Sequence, residues 1–330
     1  MEEETLGQTP AAAFSQRRRR PLLVDMLVRL VKEKPLGTLG GIIVLLLVIT
    51  AIFADMGWMG LPNVGLAPFG MNEQKLGDRL QAPSGEHILG TDQMGRDLLS
   101  RIIYGARISL LVGLVGSALC TGVAALIGTV SGFLGGKTDI LIQRLVDTWM
   151  CFPGIFVFLT VMALVGRGLP QVILVLGIAR GISQSRVLRG AVIGVKQNVY
   201  VDAAKSVGVS TPQTLWRHIV PNIMAPIVTI FAVSSGYLIL GEATLSFLGY
   251  GIPPPEPSWG GMLSGAGRRF MLQAPWMALW PGLALMLSVY GLNMFGDAVR
   301  DLLDPRLRGG LGRYGGVKTK TKKEKAAAGL

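Results

Sequence analysis

The stretch LGTLGGIIVLLLVITAIFA, residues 36–54, runs for nineteen residues without a charge. As an α-helix rising about 1.5 Å per residue, it is just long enough to cross the ~30 Å hydrocarbon core of a bilayer. No small-x-small cleavage site follows it cleanly, so a membrane span fits better than a secretory signal. Upstream, Arg17 to Arg20 carry only a faint resemblance to a twin-arginine signal. The apolar core begins well downstream of them, and they read as an ordinary cytoplasmic tail.

The rest of the chain agrees. Of its 330 residues, 50% are hydrophobic and only 16% charged, with a mean hydropathy of +0.49. A soluble protein of this size is nearer ~25% charged. Apolar runs predict six spans, at 36–54, 108–134, 151–166, 169–185, 223–247 and 276–296. An even number puts both termini on one side. Of the 32 lysines and arginines, 24 fall on that side and eight on the other. The positive-inside rule therefore places both termini in the cytoplasm, together with the loop before residue 223. Solvated tails near anionic lipid account for the net charge of +12, and no nucleic-acid partner is needed. The expected fold class is all-α and polytopic. It comprises a basic tail (1–35), a first span (36–54), an external segment (55–107), a five-span core (108–297) with a cytoplasmic loop at 186–222, and a second basic tail (298–330).

The second span carries small residues four apart: Gly116, Cys120, Ala124, Gly128, Gly132 and Gly136. Gly113, Ser117, Thr121, Ala125 and Thr129 form a parallel row. In lipid, such rows let helix backbones approach closely, because packing drives association there. They predict a tight bundle.

Catalytic chemistry is absent from the pattern. SGFLGGKT (131–138) nearly matches a phosphate-binding loop, but Ser131 replaces the first glycine and the segment leaves a membrane span instead of a β-strand. Cys120 and Cys151 form no CxxC pair, so neither a disulfide framework nor a metal site follows. The only histidines are His87 and His218, and an isolated histidine is more often structural than catalytic. No cofactor is implied. The chain reads as a transport subunit and not as an enzyme, with nucleotide hydrolysis left to a partner.

The most polar long stretch in the second half is YVDAAKSVGVSTPQTLWRHIVPN, residues 200–222. Thr211 suits an N-cap and Pro212 a first helical turn, while Gly208 suits a helix end and Pro221 discourages continuation. The stretch thus predicts two short helices, near 200–207 and 212–219. Ala203 and Ala204 would permit close approach by a partner, and Leu215 and Trp216 would offer an apolar contact. Tethered between spans, this is a docking element for a cytoplasmic protein.

Asp202-Ala203-Ala204, then Gly208, then Pro221 resembles the EAA motif of permeases in bacterial and archaeal ATP-binding-cassette importers. That pattern is Glu-Ala-Ala, three residues, Gly, nine residues, then Ile-x-Leu-Pro. Here Asp202 stands for Glu, His218 for Ile and Val220 for Leu. RHIVPN (217–222) is similar to the peptide/nickel branch. HILGTDQMGRDLLSRIIYGARISL (87–110), EATLSFLGYGIPPPEPSWGGML (242–263) and FGDAVRDLLDPRLR (295–308) resemble the C-type permease subunit of dipeptide and oligopeptide importers. The resemblance implies the type I importer permease fold in the inner membrane. It also implies a B-type permease partner, two cytoplasmic ATPases, and an extracytoplasmic solute-binding protein. The 200–222 loop would be the coupling helix seated in an ATPase groove.

Glu242 lies nineteen residues after Ile223, about 28 Å along a helix and so near the outer end of the fifth span. Two readings stand. Either it lines the outer gate or path, facing a substrate amine, or it is hydrogen-bonded and fixes the turn into GIPPPEPSWGG. Asp92, Arg96, Asp97 and Arg101 read as a solvated helix face, with Asp97 and Arg101 paired at i, i+4, or as a contact for the binding protein. Asp297, Arg300, Asp301 and Asp304 read as a local charge network. The alternative function, an ion-gradient-driven secondary transporter, needs ionisable residues near mid-membrane and usually internal repeats. The sequence reading finds neither. Dipeptides, longer peptides and nickel chelates remain open as substrates.

Overall fold

The computed structural model describes residues 22–55 and 65–303. Arg17 to Arg20, Asp304 and most of the C-terminal basic tail lie outside the described residues. Among those described, the architecture is helical, and the only bridge of strand type joins Thr91 to Asp97. The helices are α1 (Leu22–Glu33), α2 (Pro35–Phe53), α3 (Leu98–Leu134), α4 (Gly136–Cys151), α5 (Gly154–Val165), α6 (Leu169–Lys196), α7 (Val199–Ser206), α8 (Thr211–Thr214), α9 (Met224–Phe247), α10 (Trp259–Leu263), α11 (Gly265–Phe270) and α12 (Trp276–Leu303).

Four helical stretches are long and apolar enough to cross a membrane: 35–53, 98–134, 211–247 and 276–303. A fifth joins them if α4 and α5, bent by 91° at their junction, count as one span. The expected span at 169–185 does fall on a helix, but α6 carries Arg180, Arg186 and Arg189 and runs on to Lys196. Its apolarity is diluted, and length and composition alone do not reproduce the count of six. On α2, Leu36, Leu39, Ile42, Leu45, Leu46, Ile49 and Ile52 stay exposed, as a lipid-facing surface requires.

α3 is the centre of the bundle, packing most extensively on α6 and also on α9 and α2. Its row of small residues does what the pattern predicts. A Cβ added at Gly128 would lie 2.6 Å from the Ser185 carbonyl oxygen and 2.9 Å from the Arg189 nitrogen. On the facing helix, a Cβ at Gly181 would lie 2.7 Å from the Cys120 carbonyl oxygen. Backbone thus meets backbone, with no space for a side chain between. Gly136, the last residue of the row, has left α3 and begins α4.

Direction follows from the same contacts. Gly40 of α2 meets Gly291 and Phe295 of α12, and Lys34 Nζ donates to Asp301 Oδ2 at 2.6 Å. Ala232 of α9 meets Gly296 and Gly236 meets Asn293, so α9 runs antiparallel to α12, and the start of α2, the end of α12 and the polar 199–223 segment share one end of the bundle. Asp301, expected in a network with its sequence neighbours, instead ties α12 to the junction of α1 and α2.

At the opposite end, residues 65–97 fold back over the start of α3. Phe69 N donates to Ser100 Oγ at 3.0 Å, and Trp276 Nε1 donates to the Thr91 carbonyl at 3.2 Å. Trp259 is buried, and its Nε1 donates to the Ile102 carbonyl at 3.1 Å, fastening α10 to α3.

Replacing Gly128 by valine should force α3 and α6 apart and destabilise the purified subunit by about 1–3 kcal/mol, the usual cost of overpacking. The check is the midpoint of thermal unfolding in detergent. Gly190→Val, on the same helix as Gly181 but with nothing within 4 Å of an added Cβ, should leave it nearly unchanged.

Candidate functional site

α7 and α8 form a helical hairpin at the end of the bundle where the start of α2 meets the end of α12. α7 closes with two bonds that satisfy its last carbonyls. Val207 N donates to the Ala203 oxygen at 3.2 Å, and Val209 N to the Ala204 oxygen at 3.1 Å. This closure requires a left-handed residue between, and Gly208 supplies it with φ +82°. A side chain at Gly208 would touch nothing, so the constraint there is the dihedral alone.

The second half departs from expectation in two ways. The N-cap of α8 is Ser210, one residue before the expected Thr211, and Pro212 sits in the first turn. Nor does the helix stop before Pro221. Residues 215–219 widen into a π turn, in which Val220 N donates to the Leu215 oxygen, and 220–223 tighten into a 3-10 turn that leads directly into α9. Proline has no N–H to give, so the ladder is re-registered around it instead of ending. Ile219 and Ile223, both fully buried, hold this irregular turn in place.

The hairpin has an inner and an outer face. Val201, Ile219 and Ile223 are buried with Phe133 of α3 and Val192 of α6, and Leu215 packs against this cluster. Ala204 also faces inward. Outward stand Asp202 and Ala203, with Val199 84% exposed, Val207 80% and Trp216 77%. Of the two side chains expected to offer an apolar contact, only Trp216 does so; Leu215 belongs to the core. Val199 and Val207 complete the patch, and the 3.6-residue period of α7 separates them from Val201. His218 is half-buried, its ring 6.5 Å from that of Tyr200 across the hairpin. Pro221 is exposed within the 3-10 turn.

Beneath the hairpin lies a polar clamp that sequence reading missed. Arg189 of α6 grips Asp139 of α4 with both arms, Nε at 2.7 Å and a terminal nitrogen at 2.5 Å. Asp139 also accepts from Ser131 Oγ of α3. Gln143 Nε2 donates to the same serine oxygen at 2.9 Å, and Lys196 Nζ caps the Phe133 carbonyl at 2.6 Å. Three helices are thus fixed around the cluster on which the hairpin rests. A lone Asp in one loop and an Arg fifty residues later gave no local signal.

At the far end, Glu242 is fully buried. Ser246 Oγ donates to its Oε1 at 2.6 Å and accepts from Ile252 N at 3.2 Å, linking α9 to the 248–258 turn. Asp92, Arg96, Asp97 and Arg101 are buried and do not form a solvated face. Asp97 caps α3 through Ser100 N at 2.8 Å and binds His87 Nδ1 at 3.0 Å, so it is not the partner of Arg101. Asp92 instead receives Arg96 Nε at 2.6 Å, with Arg101 Nε at 3.9 Å. Among the described residues, only Asp78, Glu86 and His87 bring three possible metal ligands together, and Glu86 lies 3.5 Å from the Lys75 ammonium.

Among the described residues, a helical bundle with broad apolar outer sides and a polar hairpin at one end has the build of a membrane protein. Residues 124–309 match the family described as binding-protein-dependent transport system inner membrane component. The chain is 38% identical over 279 residues to the dipeptide transport system permease protein of Alkalihalophilus pseudofirmus, covering 84% of this chain and 88% of that one. It is 36% identical to the probable D,D-dipeptide transport system permease protein of Escherichia coli, covering 86% and 92%. Against the oligopeptide transport system permease protein of Bacillus subtilis it is 34% identical, covering 86% and 90%. The chain belongs to this family: it is a multi-pass permease subunit of a binding-protein-dependent ATP-binding-cassette importer. It is a transport component and not an enzyme, and it works with ATPase subunits and a solute-binding protein.

Gly208→Val should strain the end of α7 by about 1 kcal/mol or more and misplace Trp216. The expected outcome is normal membrane insertion with loss of ATPase co-purification, or of ligand-stimulated ATP hydrolysis. Gly208→Ala should be milder.

Proposed function

We propose that this subunit forms half of the translocation path of a peptide importer and receives the motion of its ATPases through the 199–223 hairpin. The observation that carries this reading is the outer face of the hairpin, where Val199, Val207 and Trp216 stand exposed beside Asp202 and Ala203. Exposed apolar side chains on a polar, lipid-free element call for a protein partner. The family resemblance makes that partner an ATPase, and the substrates for which the relatives are named make peptides the cargo. The other half of the path is a B-type permease. Both termini and the hairpin face the cytoplasm, in agreement with the distribution of basic residues. The domain division follows: cytoplasmic tails at 1–35 and 298–330, an external segment at 55–107, and the permease core between.

ATP binding draws the two ATPases together, the hairpins move with them, and the spans exchange inward- and outward-facing arrangements. The binding protein delivers cargo to the open outer side. In this scheme Glu242 serves the turn rather than the path, because Ser246 and Ile252 join it in one hydrogen-bonded chain.

The test is uptake of a labelled peptide by proteoliposomes containing both permeases, both ATPases and the binding protein. Uptake that persists without the ATPases would return the secondary-transporter reading. A cysteine at Gln213 in a cysteine-free background should react with impermeant maleimide only in inside-out vesicles. Glu242→Gln, which keeps an acceptor for Ser246, should transport at near wild-type rates, whereas Glu242→Ala should lower both transport and thermal stability. A large loss of transport in a stable glutamine variant would assign the charge to the path.

A further inference from the structure

Arg180 is the twelfth residue of α6, about 17 Å from the start of the helix and so near the middle of a ~30 Å bilayer core. The expected span ended at 185, which put this arginine toward one end. The helix continues past that point to Lys196, so the arginine stands inside the helix and not at its end. Among the described residues, no carboxylate comes within 4.0 Å of its guanidinium. Its partners are neutral. The guanidinium carbon stands 4.1 Å from the centroid of the Tyr237 ring, and Gln184, with its amide oxygen turned inward, accepts from Arg180 at 2.8 and 3.2 Å.

Arg180 and Tyr237 line a cavity of about 190 Å³ with Trp149, Phe152 and Ser183, at the 91° bend between α4 and α5. α5 starts at this cavity behind Pro153 with no side-chain cap, which adds some positive potential to that of the arginine. A permanent cation at mid-membrane cannot face hydrocarbon without a cost of several kcal/mol. It must turn toward protein or a water-filled path. A planar five-donor guanidinium is suited to a carboxylate, and the aromatic walls beside it to an apolar group. Arginine does not titrate in the working range, so the group is unsuited to carrying protons.

We propose that this cavity is an anion-recognising station on the path, where Arg180 receives the carboxylate of a translocating peptide. It rests on the peptide cargo proposed above. Tyr237 and Gln184 hold the guanidinium in place before the cargo arrives, and the wall formed by Trp149 and Phe152 takes an adjoining apolar side chain. The neutral partners leave the cation's charge uncompensated until the carboxylate enters.

The experiment compares wild type, Arg180→Gln and Arg180→Lys in the complete complex in proteoliposomes. Cargo is trialanine or its C-terminal amide, each supplied at concentrations that saturate the binding protein. Loss of one charge-assisted contact should lower the glutamine variant's free-acid rate about tenfold, to within about twofold of its amide rate, while the amide rate stays near wild type. Ligand-stimulated ATP hydrolysis and co-purification of all subunits should be retained, and lysine should restore part of the free-acid rate. Wild-type free-acid transport by the glutamine variant would overturn the proposal, as would an equal loss for acid and amide. Loss of the partner permease from the purified variant complex would also overturn it, by assigning Arg180 to the subunit interface. If wild type itself imports no peptide, the substrate reading fails first, and that failure is visible without any variant.

Discussion

Backbone contact between α3 and α6 is the constraint on which the rest of the structure depends. Glycines at 128 and 132 on one helix, and at 177 and 181 on the other, leave no room for a β-carbon. In lipid there is no hydrophobic gain from bringing two apolar helices together, so dispersion at close range must do so. Once α6 is held along α3, its remaining side chains have fixed positions. Arg180 lies beside Tyr237, Arg189 reaches Asp139, and Val192 joins the cluster beneath the hairpin.

The hairpin is joined to the membrane helices differently at its two ends. On the α7 side it follows a break after Lys196, and Gly208 sets its turn. On the α8 side it runs into α9 through a π turn and a 3-10 turn without interruption. On the proposed function, a displacement of α8 would pass along one continuous helix from Thr211 to Phe247 and reach the turn held by Glu242 and Ser246. Pro221 and Pro226 mark the weak region of that rod, where neither can donate a ladder bond. A rod with one soft region suits a part that must adopt two packed arrangements.

Residues 65–101 illustrate how charge is tolerated beside apolar helices. Asp92, Arg96, Asp97 and Arg101 are all buried, yet each finds a charged or backbone partner. Asp97 satisfies the first turn of α3 and fixes His87, while Asp92 binds its own loop and Arg96. The result is a cover over the helix ends opposite the hairpin, with its charges paired to one another or to backbone.

Periodic and local features were legible in the sequence alone. The uncharged run at 36–54 announced a span because bilayer thickness sets a length that few soluble helices share. The small-residue row on α3 announced close packing because its four-residue spacing keeps one face of a helix. Gly208 announced a turn because no other residue tolerates its dihedral so cheaply. What the sequence could not disclose depends on residues far apart in the chain. Leu215 and Trp216 look alike as apolar neighbours, and only the packing of the 215–219 turn on the cluster of Val201 and Val192 turns one inward and leaves the other out. Asp97 and Arg101 have the spacing of an ion pair, but the capping of α3 takes the aspartate first. Arg180 looked like the end of a span, but α6 continues well past it to Lys196 and sets its ring neighbour, Tyr237. Tertiary structure decided these points because a side chain's direction is set by what packs against its helix, and that information lies elsewhere in the chain.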